Sequence, residues 1–206
     1  MVWNIKTIAY FEKIFKDRMQ HPLEFFPTQY RKHVFFTLLS LTLILFAIFR
    51  VLDQPLRTPA APNGIVSLEL AGRPEKAFQI MVSWEPNNFV GPNLLRMKGY
   101  LYAAFGLDLD YLFMPLYSFT LAFGTLLATG RHTGWLRSLG ALAGYGAFGA
   151  ALFDAVENYA LLQVVLGAYE SSYPAIAAFC ATIKFALILL GLLYGLVGWI
   201  LPKQQD

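Results

Sequence analysis

The chain has 206 residues, of which 57% are hydrophobic, 16% aromatic and 14% charged, and this composition excludes an ordinary soluble domain of that length. Its formal net charge of +3 is small and spread along the chain, so nucleic acid is not an expected partner. The single cysteine, Cys180, cannot form an intramolecular disulfide.

Four long apolar segments predict an all-α membrane protein, a four-helix transmembrane bundle. Each segment is long enough to cross about 30 Å of hydrocarbon as a helix. The predicted spans are residues 34–52, 99–129, 135–168 and 174–201. An even number of spans places both termini on the same side of the membrane.

The segment before the first span, residues 1–33, contains a predicted amphipathic helix between residues 3 and 19. Its apolar residues recur at helical spacing, and its basic residues occupy mostly the other faces. Such a helix lies flat on the anionic cytoplasmic leaflet, or it packs under the bundle or on a partner; the sequence favours neither. Pro22 and Pro27 end this helix before the first span, which we expect to be a retained signal anchor.

The loop at residues 53–98 is interrupted by six prolines. Within it, residues 65–70 form a short apolar run with alternating character. Pro74 stands where the first turn of a helix accepts a proline, so we predict a short amphipathic helix over residues 74–84. This helix is expected to rest on the outer ends of the spans as a short extracytoplasmic cap; the alternative is a ligand gate.

The second and third spans exceed the membrane thickness, so their surplus turns are expected to project outward, and Pro115 is expected to kink the second span. Small residues are dense in the third span and recur in the fourth at Gly191, Gly195 and Gly198. Small-xxx-small spacing lets helices approach closely. We therefore predict that the last two spans pack together within the chain, or else against a second copy.

Basic residues predict the orientation of the spans. Nine lie on the side of the termini: Lys6, Lys13, Lys16, Arg18, Arg31, Lys32, Arg131, Arg137 and Lys203. Five lie in the loop after the first span: Arg57, Arg73, Lys76, Arg96 and Lys98. Because cytoplasmic loops carry the excess of Lys and Arg, this bias predicts that both termini are cytoplasmic. Trp135 and Trp199 fall at the same predicted face, where interfacial aromatic residues are common.

Four ionisable residues inside the apolar segments fall at nearly the same predicted depth. They are Arg50, Asp110, Asp154 and Lys184, one in each span. At about 1.5 Å per helical residue, all four stand roughly 25 to 30 Å from the cytoplasmic face, near the far boundary of the hydrocarbon. This polar layer is the best candidate site that the sequence offers.

Helical spacing brings further side chains into the layer. Asp154, Glu157 and Asn158 stand at i, i+3 and i+4, so they share one face of the third span. Asp108 and Asp110 are about 200° apart around a helix, and the deeper Asp110 is the better candidate. Asp110, Asp154 and Glu157 exceed the two cations, Lys184 and Arg50, by one charge, so the layer is expected to take up a proton or hold a cation.

Several functions fit this layer. It is an interhelical clamp, or it binds a cation, a lipid headgroup or a small ligand, and the candidate residues are Arg50, Asp110, Asp154, Glu157, Asn158 and Lys184. A further alternative is an accessory subunit of a larger membrane complex. A transporter is less favoured because the layer is peripheral. An enzyme is less favoured because all three histidines lie at the cytoplasmic side, so we predict no catalytic residue, metal or cofactor.

Three strings of the chain, between about residues 60 and 165, resemble a set of bacterial four-helix integral membrane proteins. They are the string Ser67 to Ala77 followed by Trp84, the string Leu109-Asp-Tyr-Leu-Phe113, and the string Phe153-Asp-Ala-Val-Glu-Asn158. The resemblance matches the Leu-Asp-Tyr motif at Asp110 and the Asp-x-x-Glu-Asn motif at Asp154. It implies a shared fold and a place in the bacterial inner membrane, but no activity.

Overall fold

The computed structural model describes residues 19–85 and 99–203, which form helices and turns without any strand. The amphipathic helix predicted between residues 3 and 19 lies outside the described residues except for Met19, and so does the loop segment 86–98. In chain order the α-helices of the described parts are α1 (Thr28–Leu52), α2 (Ile65–Glu69), α3 (Pro74–Ser83), α4 (Gly99–Thr129), α5 (Gly134–Val165) and α6 (Tyr173–Ile200). The prediction of an all-α four-helix bundle is confirmed.

Four of these helices are long and apolar enough to cross a membrane: α1, α4, α5 and α6. Their 25, 31, 32 and 28 residues correspond to roughly 38 to 48 Å at about 1.5 Å per residue. The helix α1 begins at Thr28, directly after Pro27, rather than at residue 34. The difference arises because hydropathy detects only the apolar part of a helix, whereas α1 also includes the polar residues 28–33.

The segment between α1 and α4 folds into short helices that share an apolar core with the long ones. A 3₁₀ turn at Gln54–Leu56 comes first, followed by α2 and α3. Pro74 and Glu75 occupy the first turn of α3, where a proline and an acid are both favourable. The buried core residues are Leu56, Leu68, Ile80 and Trp84 from this segment, Leu107 from α4, Leu161 and Val164 from α5, and Ala177 from α6.

Hydrogen bonds fix this segment. The indole Nε1–H of Trp84 donates to the carbonyl of Leu56 at 2.7 Å. The Asp53 carboxylate accepts the backbone N–H of Ile65 at 2.8 Å and so satisfies one of the free donors at the start of α2. Gly64, at φ 59, comes so close to that carboxylate that a side chain at position 64 would overlap it. These contacts hold the start of α2 and the end of α3 in place.

The described residues belong to two compact units. The first unit consists of the residues up to Leu39, Ser118–Gly149 and the residues from Ala186 onward; the second consists of Ser40–Tyr117 and Ala150–Phe185. Each of the four long helices contributes a segment to both units. The core described in the preceding paragraphs lies in the second unit.

In the first unit, a turn before α1 inserts the side chain of His21 among the helices. Its Nδ1 accepts the N–H of Leu23 at 3.2 Å, so the other ring nitrogen, Nε2, carries the proton and donates it to the hydroxyl of Thr125 at 3.1 Å. The ring comes so close to Gly144 of α5 that a Cβ atom there would overlap it. His21 is only 3% exposed, and this burial lowers its pKa to about 4.

Glycines also let α5 and α6 approach each other in the first unit. Gly146 and Gly149 of α5 face the side chain of Leu187 on α6, and Gly140 faces Tyr194. These contacts agree with the predicted packing of the last two spans within the chain. The glycines predicted for it on α6 do not take part: Gly191 and Gly198 face Leu121 and Ala128 of α4, and nothing lies within 4 Å of a Cβ atom at Gly195.

Candidate functional site

Lys184 of α6 lies at the centre of a buried group of carboxylates in the second unit. Its Nζ donates to Oδ1 of Asp154 at 3.0 Å and to Oε1 of Glu157 at 2.9 Å, and it lies 2.8 Å from Oε2 of Glu157. Lys184 is 6% exposed, Asp154 2% and Glu157 0%. Because Asp154 and Glu157 are one turn apart on α5, the helix presents both carboxylates to the same ammonium group.

Glu69, at the end of α2, adds a third carboxylate. Its Oε2 lies 3.8 Å from Nζ of Lys184, and only 12% of its side chain is exposed. Burial is the largest influence on this carboxyl and raises its pKa above the ordinary value. We call Glu69, Asp154, Glu157 and Lys184 the acid–lysine cluster.

Asp154 is the carboxylate with the most complete set of partners. The hydroxyl of Tyr117 on α4 donates to its Oδ2 at 2.9 Å, while Lys184 occupies Oδ1. A buried carboxylate with a charged donor on one oxygen and a hydroxyl donor on the other is well compensated for its loss of water. Through these two bonds Asp154 joins α4, α5 and α6.

Asn158 links α5 to α4 beside the acid–lysine cluster. Its Nδ2 donates to Oδ2 of Asp110 at 2.8 Å and to the carbonyl of Leu107 at 3.2 Å. Asp108, two residues before Asp110 and on another face of α4, is exposed. The structure therefore brings Asp110 rather than Asp108 to Asn158, which is the choice that helix geometry predicts.

Arg50 is the one candidate residue that the structure does not bring to these acids. It is exposed and forms no ion pair with any residue that the structure describes. The reason is the rotation of α1: Phe49 faces α4, with its ring centroid 5.2 Å from that of Phe113. Arg50 is turned about 100° from Phe49 around the helix, so it points to a different side.

Sequence reasoning missed Glu69 because it lies in the loop, outside every apolar span. Depth counting applies only to residues inside the spans and could not place it. A usable signal was present: Glu69 is a single acid between Leu68 and Leu70 in a short apolar run. Because that run folds as helix α2 and buries Ser67 and Leu68, the acid at its end is drawn into the second unit with them.

The charge balance of the site differs from the one that the sequence predicts. With Arg50 outside and Glu69 inside, the acid–lysine cluster has three carboxylates and one ammonium group, an excess of two. Asp110, held by Asn158, raises the excess to three, whereas the sequence predicted an excess of one. Of the four acids, Glu69 has a buried Oε2 that accepts no hydrogen bond from a described residue, whereas the buried Oε2 of Glu157 has the Lys184 ammonium group 2.8 Å away.

Two other residues of chemical interest are His132, which lies apart from the cluster, and Cys180, which lies beside it. His132 donates to the carbonyl of Gly198 at 2.9 Å in the first unit, and Cys180 is buried on α6, one turn from Lys184. Within residues 19–85 and 99–203, no group of three or more His, Cys, Asp or Glu side chains is arranged to hold a metal ion.

Comparison with known proteins gives no match: no protein-family model, no curated protein and no solved structure is similar to this chain. The resemblance noted for the Leu-Asp-Tyr and Asp-x-x-Glu-Asn motifs therefore stays an expectation.

Proposed function

We propose that the protein is a polytopic protein of the bacterial inner membrane, without enzymatic turnover, in which the acid–lysine cluster has two roles. It clamps the helices together, and it binds one further positively charged or polar species, either a cation, a lipid headgroup or a small ligand. The observation that carries the proposal is the contact of Lys184 with Asp154 and Glu157 and its proximity to Glu69, all buried.

The clamp role is supported by the origin of the side chains. The four side chains of the acid–lysine cluster come from three different elements, α2, α5 and α6. Tyr117 connects a fourth element, α4, through its hydrogen bond to Asp154. Removing one partner of a buried ion pair leaves an uncompensated buried charge, which costs about 3–5 kcal/mol. Contacts of this kind hold helices in one arrangement even where lipid gives little hydrophobic drive for helix association.

The binding role is supported by the charge excess. An apolar environment disfavours uncompensated carboxylates, and intramembrane ionisable groups pair with one another or mark a path for an ion or proton. Lys184 supplies one positive charge to three carboxylates. A further positive charge would bring the acid–lysine cluster closer to neutrality.

We place both termini in the cytoplasm. The excess of basic residues on that side supports this orientation. Trp135 and Trp199, which are 62% and 46% exposed, stand at the ends of α5 and α6 on that side, and Arg131 lies over the Trp199 ring at 5.4 Å. Tryptophan and arginine side chains of this kind suit the boundary between hydrocarbon and headgroups.

An accessory subunit of a larger membrane complex is the second proposal, and it is favoured by the exposure of α1. Leu45 is the one buried residue of this helix. Its exposed apolar side chains, such as Leu43, Ile44 and Val51, are available either to lipid or to the helices of another subunit.

The clamp is tested by removing its single cation. We expect Lys184→Met to destabilise the detergent-purified protein by about 3–5 kcal/mol, because three buried carboxylates lose their ammonium partner. The unfolding midpoint is measured from the loss of the helical circular dichroism signal. Asp108→Asn, which neutralises an exposed acid of α4, is the matched control and should melt like the wild type. Equal midpoints for Lys184→Met and Asp108→Asn would show that the cluster is not a clamp.

A further inference from the structure

Two glutamates of the acid–lysine cluster meet although both side chains are acids. Glu69 comes from α2, in the segment between the first two spans, and Glu157 comes from the middle of the second unit's part of α5. Their carboxyl groups adjoin the same ammonium group: Nζ of Lys184 lies 3.8 Å from Oε2 of Glu69 and 2.8 Å from Oε2 of Glu157. Both Oε2 atoms are buried; that of Glu69 accepts no hydrogen bond from a described residue, and that of Glu157 adjoins the ammonium group of Lys184.

The donors around this pair are already in use. The hydroxyl of Tyr117 is donated to Asp154, and Nδ2 of Asn158 is donated to Asp110 and Leu107. Lys184 donates to Asp154 and Glu157, and its Nζ is 3.8 Å from Glu69, beyond ordinary hydrogen-bond length. An ionised carboxylate can only accept, so two ionised glutamates would repel each other, and the one ammonium group that the described residues place beside them, that of Lys184, is also shared with Asp154.

We infer that the species bound by the acid–lysine cluster is a proton, held between the carboxyl groups of Glu69 and Glu157, and that this proton fastens α2 to α5. The inference rests on the proposed function, because it names the positive charge that the cluster binds. The proton turns one carboxyl group into an O–H donor and the other into its acceptor. One charge of the excess is removed, and a repulsive contact becomes a strong, charge-assisted hydrogen bond.

A proton suits this place better than a metal ion does. The described residues provide no group of three or more ligands arranged for a metal, whereas a proton needs only the two facing oxygens. Leu68, which precedes Glu69 in the chain, and Leu161, one turn after Glu157 on α5, are both buried in the core that α2 shares with α5. Apolar surroundings favour the protonated form of a carboxyl group.

The sign of the resulting pH dependence follows from Glu69. Burial raises its pKa, so the folded protein binds the proton more tightly than the unfolded chain does. The stabilisation is therefore present at acidic pH and lost as the pH rises through the raised pKa. The titratable and charged groups around the pair are Asp53 before the 3₁₀ turn, Asp110 and Tyr117 of α4, Asp154 of α5, and Lys184 and Cys180 of α6.

The experiment compares unfolding midpoints of the full chain in detergent as the pH is raised from 6.5, above the range in which His21 titrates, to alkaline values. We expect the wild-type midpoint to fall, because the shared proton is lost. Glu157→Gln should remove most of that fall, since its amide N–H donates to Glu69 without a titrating proton. Glu75→Gln, which changes an exposed acid in the same segment, is the matched control and should keep the wild-type slope.

A second measurement does not depend on how the variants fold. The infrared spectrum of the wild type should contain a protonated-carboxyl C=O band that weakens as the pH rises and that is weaker in Glu157→Gln. A midpoint that does not fall with pH, or a fall that sodium, potassium or magnesium ions prevent at constant pH, would overturn the inference. If the midpoint is independent of pH while Lys184→Met still destabilises the protein, the shared proton is contradicted and the clamp role is retained.

Discussion

Buried ionisable side chains decide what this protein can do at the scale of single residues. Glu157 and Lys184 are almost wholly buried, yet both carry charge at neutral pH in water. Their mutual contact, together with the bonds of Asp154 to Tyr117 and Lys184, replaces the water that these groups lose. A single substitution here changes both the packing and the charge balance of the second unit.

His21 provides a separate prediction at this scale. Burial lowers its pKa from 6.5 to about 4. Between these two pH values, the unfolded chain binds a proton at His21 and the folded protein does not. The stabilisation by neutral His21 is complete above pH 6.5 and is lost as the pH falls towards about 4. Across this window we expect the unfolding midpoint of the wild type to fall more steeply than that of His21→Gln.

The control for His21 is His33→Gln, because His33 is exposed on α1. This variant should follow the wild-type profile through the same pH window. Parallel midpoint curves for the wild type and His21→Gln would show that the His21 ring does not hold its turn among the helices.

At the scale of the elements, the spacing of polar residues predicts which faces of two helices meet. This prediction requires that both helices have a distinct polar face. The i, i+3 and i+4 spacing of Asp154, Glu157 and Asn158 predicts one shared face, and the structure places all three toward Lys184 or Asp110. The rotation of α1 was not predictable, because nearly every face of that helix is apolar. Arg50 was therefore assigned to the polar layer by depth alone.

Helix packing gives a paired prediction for two glycines, Gly144 in the first unit and Gly106 in the second. Gly144→Ala should destabilise the protein by about 1–3 kcal/mol, because the new Cβ would overlap the ring of His21. Gly106→Ala should instead stabilise it by about 0.5–1 kcal/mol, because alanine favours the helix and nothing lies within 4 Å of the new atom. Unfolding midpoints in one detergent compare the two; a shift in the same direction for both would contradict this packing.

At the scale of the whole molecule, hydropathy is enough to find the four long helices. A bilayer requires about 20 consecutive apolar residues from each spanning helix, and this requirement is visible in the sequence. The place of α2 is not visible in the same way. Its burial depends on Trp84, Leu68 and Ile80 sharing a core with α4, α5 and α6, and contacts between segments so distant in sequence leave no periodic pattern.

The central claim is that acids and a lysine from separate elements form one buried, interacting group. A double-mutant cycle between Lys184→Met and Glu157→Gln, measured as unfolding free energies in detergent, tests it most directly. We expect each single variant to be destabilised and the double variant to be more stable than the sum of the two effects predicts, by about 0.5–3 kcal/mol. Strict additivity of the two changes would mean that Lys184 and Glu157 do not interact, and the acid–lysine cluster would lose its basis.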